Sequence, residues 1–104
     1  MIIESAILSI KTGQGPAFEA ALQSARPLIE ATPGFLGIEI WPCIENADQY
    51  LLLVRWETLE DHTIGFRKSD RFQKWREKLH HFYDPMPTIL HFQERVSLAS
   101  GAGL

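Results

Sequence analysis

The tetrapeptide Leu51-Leu52-Leu53-Val54 constrains the fold of this 104-residue chain more than any other segment. It lies within Gln49–Glu57, a run that predicts a β-strand. Successive side chains of a strand point to opposite faces, so this strand has no polar face, and its sheet needs a cover on both sides. The chain's own helices can supply one cover, but the sequence is too short to supply the second. We therefore expect a homodimer in which two sheets pack face to face.

Three further strands are predicted, over Ile2–Ile10, Phe35–Trp41 and Thr88–Val96. An amphipathic helix begins at Pro16 and ends before Pro33-Gly34. Capping patterns at Thr58 and Ser69 predict a short helix and then a longer one before the last strand. The order is therefore βαββαβ, which predicts an α+β, ferredoxin-like domain with a four-stranded antiparallel sheet and helices on one face.

Length and charge exclude several classes of protein. We assign residues 1–96 to one domain and 97–104 to a C-terminal tail, which leaves no room for a separate cofactor domain. The net charge is -3, and the basic residues are interspersed with acidic ones, so we expect no nucleic-acid partner. Cys43 is the single cysteine, which excludes an intrachain disulfide and a cysteine-based metal site. No leader or membrane-length apolar run is present, so we expect no membrane association and a cytoplasmic location.

Aromatic and imidazole side chains gather around the end of the third predicted strand. Trp56 closes that strand, and His62 and Phe66 follow at helical spacing. Rings brought together in this way form a small apolar pocket with one titratable group. Trp75, on the buried stripe of the next helix, and His91, in the last strand, are further candidates for the lining of the pocket.

Several short motifs resemble those of the antibiotic-biosynthesis monooxygenase (ABM) family of small dimeric α+β proteins. They are Pro33-Gly34-Phe35-Leu36-Gly37 opening strand two, Trp56 closing strand three, Ser69-Asp70 before an aromatic helix, and Pro87-Thr88-Ile89-Leu90-His91-Phe92 in the last strand. Each motif is short, and their order and spacing together carry the resemblance, which covers the chain from Ile2 to about Glu94. It implies a dimeric α+β barrel; a related family of that architecture is the alternative.

The resemblance also implies a chemistry. Some ABM-type proteins oxidise phenols or quinols with O2 and no bound cofactor, and the actinorhodin-type members use an Asn, a Trp, a Tyr and an Arg. The matching positions here are Leu52, Trp56, His62 and Arg76. The implied roles are His62 as base or donor and Arg76 as stabiliser of an anion. Trp56, Phe66 and Trp75 would then form the walls around a small aromatic ligand, with Leu52 departing from the pattern because it cannot hydrogen-bond.

Other interpretations stay open for the same residues. His62 can be a hydrogen-bonded core histidine, the tryptophans can be core or dimer-interface rings, and Arg76 can be a solvated surface charge. Haem degradation, known in this fold, fits less well because Trp75 stands near the position of the axial histidine. A non-catalytic small-molecule-binding dimer, or an isomerase with the same pocket, is the alternative to a monooxygenase.

Overall fold

The computed structural model describes residues 1–99 and confirms the predicted α+β architecture. Four strands, β1 (Ile2–Ser9), β2 (Phe35–Pro42), β3 (Gln49–Trp56) and β4 (Ile89–Phe92), form one antiparallel sheet in the order β2-β3-β1-β4. Helix α1 (Gly15–Glu30) follows β1, and helix α2 (Asp70–Leu79) precedes β4. A wide turn of π-helix (Asp61–Phe66) and a short 3-10 turn (His80–Phe82) flank α2.

The two faces of the sheet differ in burial, as the alternating direction of the side chains along β1 predicts. Glu4, Ala6 and Leu8 are buried beneath the helices, whereas Ile7 between them is 53% exposed. In β3 the same inner face carries Tyr50, Leu52, Val54 and Trp56, all of them buried. The core therefore lies between the inner face and the two helices.

The opposite face, which we call the outer face, is open and carries several large apolar side chains beside the ion pair of Glu39 and Arg55. Ile7, Trp41, Leu90 and Phe92 are each about half exposed there, and the register of the strands places Leu51 and Leu53 among them. Within residues 1–99 no element covers this surface, which matches the reasoning from the two apolar faces of β3. No helix among the described residues has the length and apolar character needed to cross a membrane.

The capping patterns predicted at Thr58 and Ser69 are both present in the structure. Thr58 and Asp61 form a reciprocal capping box, in which the backbone N–H of Thr58 donates to Asp61 Oδ2 at 3.1 Å and that of Asp61 donates to Thr58 Oγ1 at 3.2 Å. Ser69 caps α2 by accepting from the N–H of Phe72 at 3.3 Å. These caps fix where the polypeptide enters the π turn and α2.

Two predicted elements differ from the structure. The last strand is short, ending at Phe92 rather than Val96, because Phe92 pairs with Ile3 and β1 provides no partner beyond Ile2. The helix after Thr58 is a π turn, with the N–H of Arg67 donating to the carbonyl of His62 at 3.0 Å, five residues earlier. Part of the predicted tail, residues 100–104, lies outside the described residues.

Candidate functional site

A cavity of about 190 Å³ lies between the inner face of the sheet and the segment that contains the π turn and α2. Its walls are mostly apolar and aromatic. The lining residues include Leu8, Leu52, Phe66, Phe72, Trp75 and Tyr83, and the polar ones are Glu4, His62, Arg67 and His80. An apolar space of about 150 Å³ is enough to take up benzene. The cavity is therefore sized for one substituted aromatic ring or a small bicyclic molecule.

Glu4 is the buried acidic group of this cavity, with 6% of its surface exposed. The alternation of β1 turns its side chain inward, and the sheet register sets it opposite Val54 of β3 and His91 of β4. Its Oε1 accepts from Trp56 Nε1 at 3.0 Å and lies 3.3 Å from His62 Nε2. Within residues 1–99 the side-chain contacts of Glu4 with Trp56 and His62 both involve Oε1, which leaves Oε2 for a molecule in the cavity.

His62 is buried between Trp56 and Glu4. Its ring stacks on the Trp56 indole with centroids 5.3 Å apart and planes 16° apart. Both ring nitrogens are engaged, since Nε2 faces Glu4 and Nδ1 lies 2.8 Å from Nε2 of His91. His62 therefore has no nitrogen left over for a substrate in this arrangement.

These contacts form a continuous series from Glu4 through His62 to His91, in which the two imidazoles share a hydrogen bond of 2.8 Å and His62 Nε2 lies 3.3 Å from the carboxylate. We refer to these three groups as the hydrogen-bonded chain. With Glu4 ionised, His91 Nε2–H donates to His62 Nδ1 and His62 Nε2–H donates to the carboxylate. With Glu4 protonated on Oε1, the protons between Glu4 and His62 and between His62 and His91 lie on the opposite partners, while the indole N–H of Trp56 continues to donate to Oε1. The same heavy-atom geometry thus accommodates two arrangements of protons.

Burial governs the acidity of all three groups. It raises the pKa of Glu4, against the opposing effects of the Trp56 hydrogen bond and the positive charge of Arg67. Burial, Arg67 and His91 together lower the pKa of His62 to about 3, so that its imidazole is neutral at physiological pH. Burial and Arg67 also lower the pKa of His91. A carboxyl group made more basic, in a mostly apolar cavity, is suited to exchanging a proton with a weakly acidic substrate.

The cation at this cavity is Arg67 rather than Arg76. Arg67 lines the cavity, directly after the π turn that carries His62. Arg76 is exposed on α2, with its guanidinium carbon 6.0 Å from the centre of the Phe72 ring, and borders a separate surface depression with Gln73 and Glu77. The structure therefore does not bring the predicted pair, His62 and Arg76, into one cavity.

The other predicted residues gather around the same site. Leu52, Phe66 and Trp75 line the cavity. Trp56 and His91, predicted for the same wall, are not among the lining residues; Trp56 stacks on His62, and His91 makes a hydrogen bond with it. Sequence reasoning missed Glu4 and Arg67. A signal for Glu4 was present, because a glutamate occupies the apolar face of a strand between Ile2 and Ala6, and a buried acid of that kind requires partners.

The donor atoms do not converge in the way that a metal site requires. Glu4 and His91 contact opposite nitrogens of His62, so the three groups lie along a line through the imidazole ring. Among residues 1–99 no group of three histidine, cysteine, aspartate or glutamate side chains could hold one metal ion. These residues are arranged to hydrogen-bond with one another.

A second, wider groove of about 540 Å³ lies between α1 and β2. Its charged residues Arg26 and Glu30 pair with each other at 2.9 Å, and its apolar residues include Leu22 and Ile40. None of the residues that make up the hydrogen-bonded chain reaches it. The cavity around Glu4 is therefore the candidate site.

Comparison with known proteins identifies relatives of this chain. The sequence model of the antibiotic biosynthesis monooxygenase domain matches residues 1–78. The uncharacterized protein YczJ of Bacillus subtilis (strain 168) is 48% identical over 94 residues, which span 90% of this chain and 99% of YczJ.

Solved structures agree with that match. A Bordetella bronchiseptica protein provisionally named as an antibiotic biosynthesis monooxygenase is 34% identical, with a TM-score of 0.87 over 91% of this chain and 97% of its own. SnoaB, a cofactor-independent oxygenase from Streptomyces nogalater, shares the fold with a TM-score of 0.77 over 93% of this chain and 95% of its own, at 15% identity. On the family model and the close relatives, this chain belongs to the antibiotic biosynthesis monooxygenase family.

Proposed function

We propose that this protein oxidises a small phenol or hydroquinone with O2, without a bound cofactor, and that Glu4 is the base that deprotonates the substrate. The observation that supports this most strongly is a buried carboxylate held at one oxygen by Trp56 and His62, inside a cavity sized for one aromatic ring. Family membership supports the reaction class, and the solved structure of SnoaB, a cofactor-independent oxygenase, has the same fold.

In the proposed reaction the substrate supplies all the electrons. Glu4 Oε2 takes the phenolic proton, and the electron-rich ring of the phenolate reacts with O2 to form a C–O bond and a peroxide. The peroxide accepts a proton, the ring carbon loses its hydrogen as a proton, and the O–O bond breaks. One oxygen atom stays on the ring as a carbonyl and the other leaves as water, so that phenol and O2 give a quinone and water. The protein thus needs only a base, a cation and a dry cavity.

We assign the remaining roles from position. His62, with both nitrogens engaged, orients Glu4 and supports its change of charge. Arg67 is the cation proposed to stabilise the phenolate and peroxide anions, because it lines the cavity whereas Arg76 does not. Phe66 and Trp75 form walls, and Leu52 adds apolar surface where a hydrogen-bonding amide was expected from the actinorhodin-type pattern.

The proposal includes a homodimer formed through the outer face. This surface is apolar across β1, β2 and β4, and its large side chains include Ile7, Trp41, Leu90 and Phe92. Solvent exposure of several large apolar side chains on one face is unfavourable in a monomer, and a second copy of the sheet is its natural cover. Sedimentation velocity is expected to give twice the mass of one chain at micromolar concentration. A monomer at that concentration would contradict the dimer.

The test of the reaction is O2 uptake by metal-free protein with hydroquinones, naphthols and hydroxyanthrones. Single-ring and bicyclic compounds should react faster than tricyclic hydroxyanthrones, given the cavity volume of about 190 Å³. The Glu4→Gln variant should lower the rate about 100-fold or more, as expected for removal of a general base. Glu57→Gln, which changes an exposed glutamate next to Trp56, is the matched control and should leave the rate unchanged.

A non-catalytic binding protein is the second candidate, and the apolar Leu52 in the cavity favours it. It predicts that the same compounds quench the fluorescence of Trp56 and Trp75 without protein-dependent O2 uptake. An isomerase would convert an oxidised aromatic compound without consuming O2. Measuring binding and O2 uptake on the same panel separates the three.

A further inference from the structure

The hydrogen-bonded chain that starts at Glu4 ends near the protein surface. Glu4 lines the cavity and His62 is buried, whereas His91 is partly exposed on β4. β4 is an edge strand, paired only with β1, so His91 lies at the margin of the inner face. The three side chains therefore link the cavity to the outside across the inner face of the sheet.

We infer that Glu4, His62 and His91 form a proton relay that exchanges protons between the bound substrate and solvent, with His91 as its outer terminal. This inference rests on the proposed function and extends it to a residue outside the cavity. His91 lies beyond residues 1–78, the part of the chain that the family model matches. Its role follows from the sheet register, which sets it opposite Glu4.

Each step of the relay conserves protons. When solvent delivers a proton to His91 Nδ1, His91 passes its Nε2 proton to His62 Nδ1 over 2.8 Å. His62 then passes its Nε2 proton to Glu4 Oε1 over 3.3 Å. A carboxyl group can receive a proton on one oxygen while it releases one from the other, so Glu4 Oε2 can protonate the peroxide. The reverse sequence returns a substrate proton to solvent and restores the carboxylate.

The environment of His62 and His91 favours proton transfer over a permanently protonated imidazole. Burial, and then the positive charge of Arg67, lower the pKa of both His62 and His91 and so disfavour a stable imidazolium. A proton that enters at His91 therefore moves onward to the carboxylate. Trp56 donates to the same Oε1 and holds the acceptor in place. Burial and then the negative charge of Glu4 raise the pKa of Tyr83, which also lines the cavity.

The test uses His91→Gln, which keeps an N–H donor for His62 Nδ1 but cannot carry a proton onward. The assay uses the hydroquinone that the wild-type protein oxidises fastest. Turnover is expected to fall about 10- to 100-fold, around the lower end of general acid–base effects. KM should stay unchanged, the solvent isotope effect should rise, and added imidazole should restore part of the rate. His81→Gln, an exposed histidine that lies outside the chain of hydrogen bonds, is the control.

Two results would overturn the relay. One is wild-type turnover in His91→Gln, and the other is a loss that imidazole does not restore and that leaves the isotope effect unchanged, since His91 would then only position His62.

A nitrogen NMR measurement tests the relay independently of turnover. A coupling across the hydrogen bond between His62 Nδ1 and His91 Nε2 is expected, and its absence in the folded protein would overturn the relay. If that coupling is present and no compound is oxidised, the proposed function has failed while the chain of hydrogen bonds stands.

Discussion

The indole of Trp56 donates a hydrogen bond of 3.0 Å to the carboxylate of Glu4, and the two residues lie 52 positions apart in the sequence. They meet because β1 and β3 are antiparallel neighbours whose inner face carries both side chains. This bond favours the ionised form of Glu4 and so opposes the effect of burial. The activity of the carboxylate as a base should therefore depend on the indole N–H.

The Trp56→Phe variant removes that donor and keeps an aromatic ring against His62. A hydrogen bond to a charged group contributes about 1.5–3 kcal/mol, and 1.36 kcal/mol corresponds to one pKa unit. The pKa of Glu4 should therefore rise further, and the acid limb of the pH–rate profile should move to higher pH. An acid limb that does not move would show that ionisation of Glu4 does not determine it.

Replacing Arg67 and Arg76 by methionine should have different effects on kcat/KM. Arg67→Met removes the cation that lines the cavity and should lower kcat/KM by at least about tenfold, corresponding to about 1.4 kcal/mol of lost transition-state stabilisation. Arg76→Met alters an exposed residue outside the cavity and should have little effect. Steady-state O2 uptake by both variants measures this. The opposite ranking would restore Arg76 to the role implied by the family resemblance.

His62 should make the fold sensitive to acid. An unfolded chain has an ordinary histidine pKa near 6.5, whereas burial, Arg67 and His91 lower it to about 3 in the folded protein. Between these values the unfolded state binds more protons. The contribution of His62 to the free energy of unfolding is therefore present above about pH 6.5 and decreases as the pH falls toward 3.

Urea unfolding of the wild-type protein and of His62→Gln, measured at intervals from pH 7 down to the acid limit of the fold, checks this. The variant should show the shallower decrease with acid. Glu4, whose pKa is raised, contributes with the opposite sign and is retained in both proteins, so that the difference reports on His62. Equal slopes would contradict the lowered pKa of His62. His81→Gln should behave as the wild type.

Gly34 is required by the turn before β2. It has a φ of 89°, a conformation that favours glycine, and a Cβ there would collide with the carboxylate of Asp61, which caps the segment leading to His62. Gly34→Ala should destabilise the protein by about 1–3 kcal/mol, the usual cost of such backbone strain. Gly37→Ala is the control, because its Cβ would meet no atom within 4 Å. Thermal unfolding that ranks Gly37→Ala as the less stable variant would contradict this account.

Most of the fold follows from local patterns in the sequence. The alternation in β1 and the caps at Thr58 and Ser69 each act over a few residues, and all are present in the structure. The aromatic part of the site could also be predicted from the sequence, because Trp56, His62 and Phe66 are close in sequence.

The polar part of the site depends on long-range register and could not be predicted in this way. Glu4 meets His91 only because β4 lies beside β1 with that pairing, which no local pattern specifies. Arg67 was overlooked because its place at the cavity follows from the wider π turn, whereas Arg76 was assigned from the family resemblance. Both omissions concern which charged group reaches the cavity.

The most direct test of the central claim is oxidation of the best hydroquinone under ¹⁸O₂, with mass spectrometry of the product formed by wild-type protein, Glu4→Gln and Glu57→Gln. The account predicts one labelled oxygen atom in the quinone formed by the wild type and by Glu57→Gln, and almost no product from Glu4→Gln. Unlabelled product, or labelled product formed equally fast by Glu4→Gln, would contradict oxygenation that depends on the buried carboxylate.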